Sequence, residues 1–336
     1  MSNKPFNLLV LKPAIYCNFR CPECTLRRDL HDNIRRDKNT KILTIKDWYN
    51  FIKSLQSFEY TKIQISGGEP TLYPYIVELF RYINDFGFDS MINTNGSNLD
   101  RKLAKELVDV GLKGMNISIP STNNKELIDL CKPIDKTLNY IDIISNAIHA
   151  TKEFSNGKFV VWVNTHLQNN NYKAFKDIFY FCLEHDVDYI IVNSLESTFD
   201  NNIENLKITK DNLAEFIHLL AELKVINYID RKQLQRYTNN HTIRDMVCDK
   251  AEKYRFIVLA NGDLHACNVI EYSHEPHGVV GNIFDNSIEE IIKSQKYFDF
   301  LKVKSKSILP ANSLLNAKPY ILACAFAFPS LQFNLS

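Results

Sequence analysis

The feature that most constrains this chain is an alternation of short apolar runs with amphipathic stretches, sustained from residue 7 to residue 193. The segments "NLLVLK" (7–12), "KIQIS" (62–66), "DSMINTN" (89–95), "GMNISI" (114–119), "KFVVWVNT" (158–165) and residues 187–193 read as strands. Helices are predicted between them. The first starts at Thr44, where Asp47 completes a capping box, and runs through Phe58. Others cover 75–87, ended by Gly87, and 100–111, closed by Gly111, with two more near 135–154 and 172–185. Strands joined through helices run parallel, because a crossover of that length returns the chain to the same end of the sheet with a right-handed turn. Six strands so connected predict an α/β fold, a partial TIM-type (β/α)6 barrel, with its chemistry at the carboxyl ends of the strands.

The pattern changes after this region. Residues 195–250 are predicted mainly helical, with "DNLAEFIHLLAELKVI" the clearest amphipathic stretch. "RFIVLANGDLHACNVI" (255–270) reads as a hairpin turning at Asn261 and Gly262, and "NSIEEIIKSQKYFDFLK" as a helix capped by Asn286 or Ser287. Together these form a small C-terminal α+β extension. The last thirty residues carry one basic residue, no acidic one and no clear period. The expected organisation is a core barrel over 1–200, a helical connection over 201–247, the extension over 248–305 and an atypical apolar tail over 306–336.

Lys and Arg number 40 against 39 Asp and Glu, so a formal charge of +1 provides no field that would gather nucleic acid or an anionic membrane. The N-terminal segment lacks the apolar core and cleavage site of a secretory signal, and no apolar run approaches the roughly 18 residues of a spanning helix. A cytoplasmic protein is expected, with neither nucleic acid nor membrane as partner. A chain of 336 residues buries a large core without staples, so clustered cysteines in a reducing compartment read first as a metal or catalytic site.

Three of the eight cysteines, Cys17, Cys21 and Cys24, fall within "CNFRCPEC". Thiolates are soft ligands suited to zinc and to iron–sulfur clusters. A structural zinc site closes with four ligands, and the triplet offers three, with His31 the nearest histidine to complete it. A cubane that only carries electrons also takes four thiolates; three leave one iron open to substrate or cofactor. Spacing alone leaves cluster, zinc and reactive-thiol readings open. A second motif, "QISGGEP", sets Gly67, Gly68, Glu69 and Pro70 directly after the second strand, where a parallel barrel presents its ligand-binding loops. Paired glycines admit close backbone approach, and the Glu69 carboxylate can accept hydrogen bonds from an ammonium group. The same four residues also read as an ordinary turn before a helix.

CxxxCxxC followed by a post-strand GGEP resembles the radical S-adenosylmethionine (SAM) enzymes. The resemblance implies that Cys17, Cys21 and Cys24 hold a 4Fe-4S cluster whose open iron chelates the amino and carboxylate groups of SAM. It implies that the segment Gly67, Gly68, Glu69, Pro70 receives the methionine amino group. It further implies an electron donor such as a flavodoxin or ferredoxin, reductive cleavage of SAM, and hydrogen-atom abstraction from a substrate by the 5′-deoxyadenosyl radical. Thr94 and Asn95 end the third strand where family members contact the SAM carboxylate, and Ser118 resembles the ribose contact. Each also reads as a strand-end polar residue bonding its own backbone. Asn164 and His166 belong to the fifth strand's end and receive no role; Arg20 reads as a solvated surface arginine, and Cys131 and Cys182 as core residues. Glu23 departs from the aromatic residue that family members usually carry before the third cysteine.

Cys248, the "GDLHAC" hairpin ending in Cys267, and "GNIFDNSIEEIIKS" resemble the start of a SPASM or twitch extension, which implies an auxiliary iron–sulfur cluster. That family continues into a cysteine-rich run, whereas only Cys324 remains downstream here, and two thiolates do not hold a cubane. The change near residue 306 is read as a divergence of the reading frame that removes the cluster-binding end. The subgroup implies modification of a peptide or protein side chain, or oxidation of a small alcohol-bearing metabolite. The absence of a peptide-recognition domain ahead of the first strand counts against a leader-guided modifier. The competing reading is a non-catalytic protein whose zinc or iron–sulfur site is structural.

Overall fold

The computed structural model describes residues 9–24, 39–57, 62–194, 205–224, 256–265 and 279–299, and the backbone of 331–334. In chain order it contains β1 (Leu9–Ala14), α1 (Ile45–Ser54), β2 (Lys62–Gly67), α2 (Ile76–Asp85), β3 (Asp89–Thr94) and α3 (Arg101–Asp109). Next come β4 (Gly114–Ser118), α4 (Asn124–Cys131), α5 (Tyr140–Phe154), β5 (Val160–Leu167), α6 (Phe175–Glu184), β6 (Tyr189–Ser194) and α7 (Lys210–Glu222). The last are β7 (Phe256–Leu259), β8 (Asp263–His265), β9 (Val279–Asn282), α8 (Ile288–Lys293) and β10 (Leu331–Asn334). They fall into two compact units, one drawn from Met1–Tyr16, Thr25–Ser90 and Thr242–Ala327, the other from Cys17–Cys24, Met91–His241 and Phe328–Ser336.

In the first unit β1 is central. It pairs parallel with β2 (Leu9↔Ile63, Leu11↔Ile65) and with β7 (Leu9↔Phe256, Leu11↔Val258), and all six of its residues are buried. α1 begins as expected: Thr44 Oγ1 accepts the Asp47 N–H (3.2 Å) while Asp47 Oδ2 accepts the Thr44 N–H (2.8 Å). Its inner face, Trp48, Phe51 and Ile52, repeats at the spacing of one helix side and is buried, each side chain contributing about 1.5–3 kcal/mol. The hairpin turns at Asn261–Gly262, where Gly262 adopts φ +82°, a conformation that favours glycine. β8 pairs antiparallel with β7 (Ile257↔His265) and with β9 (Asp263↔Asn282), a third strand that the apolar pattern did not announce. Of the two caps considered for α8, Ser287 is the one used, in a capping box with Glu290.

The second unit carries parallel β3–β6. The register Asn93↔Asn116, Ser118↔Asn164 and His166↔Asn193 puts these side chains on one face. Alternate residues Ile92, Met115, Ile117, Val161, Val163 and Ile190 are fully buried on the other. That apolar face is covered by helix: a Cβ on Gly96 would stand 2.9 Å from Ile144 of α5 and 3.3 Å from Ile117 of β4. α4 was not foreseen. Asn123 caps it, accepting the Lys125 and Glu126 N–H groups, and the helix expected near 135–154 starts only at Tyr140. Within the tail, residues expected to lack strand character form β10, antiparallel to β6 (Leu331↔Val192), because the edge of β6 offers unpaired backbone groups. The reading of a frame divergence near 306 concerns residues that lie outside the described ones. Among the described residues no helix is long and apolar enough to cross a membrane.

Candidate cluster and cofactor site

The segment Cys17–Cys24 is a loop held at three points of the second unit. Phe19 is 5% exposed and packs edge-to-face on Tyr140, with ring centroids 5.0 Å apart. The Arg20 N–H donates to the carbonyl of Cys131 (2.8 Å), and the Ile134 N–H donates to the carbonyl of Asn18 (2.9 Å). The end of β3 supplies the third attachment. Asn95 Nδ2 donates to Asn18 Oδ1 (3.0 Å), Asn18 Nδ2 donates to Ser97 Oγ (2.7 Å), and Ser97 Oγ donates to Asn95 Oδ1 (2.6 Å). This ring of three polar side chains fixes the loop against the sheet at its carboxyl end.

The three thiols differ in environment. Cys17 Sγ accepts the Phe19 N–H at 3.3 Å and Asn95 Nδ2 at 3.7 Å, donors that stabilise a thiolate. Cys21 is half-buried and its pKa is raised well above the ordinary thiol value, first by a hydrogen bond with the Cys131 side chain and then by desolvation. Cys24 is exposed. Arg20 is not the solvated arginine expected: its guanidinium folds back onto the carbonyls of Cys17 and of Phe19 (2.9 Å to the latter), because the tight loop aims those carbonyls towards it. Burial raises the carboxyl pKa of Glu23, opposed by its own backbone, the Gln168 amide and the Lys132 charge.

In the first unit Gly67, Gly68 and Glu69 run against the chain that leads into Cys17. The Gly68 N–H donates to the Ala14 carbonyl (2.8 Å) and the Glu69 N–H to the Tyr16 carbonyl (2.6 Å). A Cβ on Gly68 would lie 2.0 Å from the Tyr16 carbonyl oxygen, so the second glycine serves backbone-to-backbone contact within the protein. Glu69 is 1% exposed and caps a short 3-10 turn beginning at Pro70; its Oε1 accepts the Thr71 N–H (3.0 Å) and hydroxyl (2.6 Å). The motif is therefore also a turn before a helix.

Thr94, 4% exposed, accepts the Gly96 N–H on Oγ1 (2.9 Å) and so builds the turn after β3. Ser118 is exposed at the end of β4, beside Asn164, whose Oδ1 accepts from Asn193 Nδ2 (2.7 Å). Burial lowers the pKa of His166, which favours the neutral form of its ring. Cys131 and Cys182 are buried as expected, and desolvation pushes the Cys182 thiol up. Cys248 and Cys267 lie outside the described residues, as does Cys324. Residue-by-residue reading missed Asn18, Ser97 and Cys131; the polar run "NTNGSN" carried a signal for Ser97, while Cys131 carried none.

The donor set fits an iron–sulfur cluster. A closed structural zinc site takes four ligands, and the loop supplies three thiols. A cubane spreads its thiolates over separate irons, and three thiols on one loop with N–H donors to a sulfur meet that requirement.

Comparison with known proteins points the same way. The profile of the Radical SAM superfamily matches residues 11–182, and that of SPASM, an iron–sulfur cluster-binding domain, matches residues 248–312. The chain is 24% identical over 299 residues to the GTP 3',8-cyclase of Campylobacter jejuni, covering 86% of this chain and 85% of that one. Its fold is similar to that of Streptococcus suis SuiB bound to S-adenosylmethionine (TM-score 0.65, 17% identity, 97% of this chain and 73% of that one). It is equally similar to anSMEcpe with bound AdoMet (TM-score 0.65, 17% identity, 94% and 88%). The mostly parallel α/β architecture is thus that of a partial TIM-type barrel with a C-terminal extension.

Proposed function

The chain belongs to the radical SAM superfamily, and from that premise we propose that Cys17, Cys21 and Cys24 each bind one iron of its 4Fe-4S cluster. It is an enzyme, and the cofactors of its family are the cluster and SAM, with an auxiliary iron–sulfur site in the SPASM region. When bound, these groups supply an electron that cleaves SAM reductively and a radical that takes a hydrogen atom from the substrate. The observation that carries the assignment is the Cys17 sulfur facing the Phe19 and Asn95 donors on a loop fastened to the end of β3. In this reading Gly67, Gly68, Glu69 and Pro70 hold the methionine amino group, Asn95 and Thr94 flank the carboxylate, and Ser118 meets the ribose. Cys248 and Cys267 ligate the auxiliary cluster. A structural zinc site would need a fourth protein ligand beside the three thiols.

The substrate side is read from the face of β3–β6 opposite the helices. Its polar residues towards the carboxyl ends of the strands are Asn93, Asn116, Ser118, Asn164, His166 and Asn193, and among the described strand residues of this face the charged one is Asp89, exposed at the amino end of β3. The Asn116 Oδ1 acceptor is buried with no donor among the described residues. Such a surface suits a neutral substrate rich in hydroxyl or amide groups, a peptide segment or a small alcohol-bearing metabolite, more than a polyanion. Solved relatives of this fold include SuiB bound to the precursor peptide SuiA, which supports the peptide class. The electron comes from a donor such as a flavodoxin or ferredoxin, in a cytoplasmic setting that keeps the thiols reduced.

Anaerobic reconstitution tests the proposal. Wild-type protein should take up iron and sulfide and release 5′-deoxyadenosine from SAM under reduction. A Cys17→Ala, Cys21→Ala, Cys24→Ala triple variant should do neither in the SAM site. Release of 5′-deoxyadenosine by the triple variant at the wild-type rate would refute the assignment.

A further inference from the structure

His149 and His185 are a pair of imidazoles that neither the cluster site nor the polar strand face uses. His149 stands exposed on α5 between the buried Ile148 and Ala150, and His185 directly follows the last residue of α6. The fold brings their rings together. His185 Nδ1 lies 3.0 Å from His149 Nε2, with ring centroids 4.9 Å apart and planes inclined at 48°. Two contacts hold His185: its N–H donates to the Phe181 carbonyl (3.0 Å), and its ring packs on that of Phe181 with centroids 4.2 Å apart. Three positions beyond His149 and on the same side of α5, Lys152 Nζ is 2.7 Å from Asp188 Oδ2, an ion pair whose side chains are 12% and 20% exposed. Asp188 also accepts the Val161 N–H (2.7 Å), so the end of α5 is tied to the segment that follows α6. The two imidazoles are thus carried by helices whose spacing other bonds fix.

A neutral imidazole carries one N–H and one lone pair, so the two rings share a single hydrogen bond. They can instead turn both lone pairs to a metal ion once the donating ring moves its proton to its other nitrogen, an exchange of tautomer that leaves the charge unchanged. An imidazole nitrogen sits about 2.0–2.1 Å from a first-row ion, so two of them at a right angle are about 2.9 Å apart and two at the tetrahedral angle about 3.3 Å. The observed 3.0 Å matches the right angle, which tetragonal Ni2+ and Cu2+ favour. Burial and the neighbouring His149 lower the pKa of His185, against the charge of Glu184, which favours the neutral ring that a metal needs. Among the described residues no third Cys, His, Asp or Glu side chain joins the pair, so water takes the other positions. We propose that His149 and His185 form a two-histidine clamp for a divalent ion of the Ni2+ or Cu2+ type, a metal site apart from the cluster that ties α5 to α6. The proposal does not depend on which residues ligate the cluster.

The probe is Ni2+, added anaerobically to reconstituted protein that carries no histidine tag, with bound metal counted by equilibrium dialysis. Wild-type protein is expected to bind one nickel per chain more than the His149→Gln, His185→Gln double variant, the thiols and other histidines being common to both. Each single variant should weaken that site at least about tenfold, because the second nitrogen no longer binds as an intramolecular donor. His149→Gln is decisive on its own, since it alters an exposed position and leaves the contact between His185 and Phe181 in place. A second readout is resolved by residue: modification by diethyl pyrocarbonate, followed by mass spectrometry of peptides, should slow at His149 and His185 when Ni2+ is present and stay unchanged at His218, an exposed histidine of α7. Thermal unfolding should also shift upward with Ni2+ in the wild type and not in the double variant. Equal nickel counts in wild type and double variant, or protection of His218 as strong as that of the pair, would overturn the proposal.

Discussion

Gly68→Ala isolates what the second glycine of the GGEP segment does. The added Cβ would meet the Tyr16 carbonyl oxygen at 2.0 Å and its carbon at 2.4 Å, against at least 3.4 Å for an ordinary contact. Backbone on both sides must therefore separate, and the first bonds lost are Gly68 N–H to Ala14 (2.8 Å) and Glu69 N–H to Tyr16 (2.6 Å). Each is worth about 0.5–1.5 kcal/mol, and the overpacking adds about 1–3 kcal/mol, so the expected loss is about 2–6 kcal/mol. Gly87→Ala is the control. Gly87 has φ +85° with nothing within 4 Å of a built Cβ, so it suffers only the dihedral penalty of about 1–2 kcal/mol. Urea denaturation of both variants reads the difference, provided the m-values stay equal. Because Tyr16 directly precedes Cys17, Gly68→Ala should also retain less iron after anaerobic reconstitution, while Gly87→Ala retains the wild-type amount. A Gly68→Ala protein no less stable than Gly87→Ala would refute the steric argument.

Asn95→Leu removes the donor to Cys17 and breaks the ring with Asn18 and Ser97; it should lose about 1–3 kcal/mol and retain less iron, read by denaturation and iron analysis. Phe19→Ala should lose about 3–5 kcal/mol by emptying the space against Tyr140, with the cluster loop more open to proteolysis. Burial lowers the folded-state pKa of His166, so the fold favours its neutral ring. That contribution is complete above the unfolded value of about 6.5 and shrinks as pH falls below it; His166→Gln should flatten the drop in urea midpoint between about pH 7.5 and about pH 5.5. Serine at both Cys248 and Cys267 should bring the iron content to that of one cubane, about four irons, read by iron and sulfide analysis.

The elements that positioned the site were legible because each is local. Strand alternation, the Thr44–Asp47 box and the Asn261–Gly262 turn act over a few residues, and the structure places all three where the pattern predicts. What escaped was tertiary. β9 is four residues long and owes its strand to the edge of β8, and β10 to the edge of β6. α4 is two turns, and its start signal, Asn123, sat in a run of polar residues that also reads as loop. The same division holds at the site. CxxxCxxC and GGEP are contiguous, whereas Asn18, Ser97 and Cys131 matter only through contacts made by folding. Arg20 looked solvated because nothing in the sequence shows that the loop turns two carbonyls towards it.

That division explains how far kinship with the cyclase carries. What contiguous motifs encode, the cofactor and its barrel, comes to this chain through its superfamily, and its identity to that relative is 24%. In the reading proposed above, substrate choice depends on which side chains alternate onto the face of β3–β6 opposite the helices, and a single substitution there changes the chemistry without disturbing the register. Holding a nucleoside triphosphate requires cationic side chains or backbone nests against its phosphates. Towards the carboxyl ends of the strands, the polar groups among the described residues of that face are asparagines, a serine and a histidine whose pKa burial lowers. Converting Asn116 to Asp puts the distinction to a test: a carboxylate on this face should reject an anion strongly, yet still accept bonds from hydroxyl or amide groups. If GTP protected the wild-type protein from thermal unfolding and Asn116→Asp abolished that protection, the neutral-substrate reading would be wrong; protection by neither form is what the face predicts.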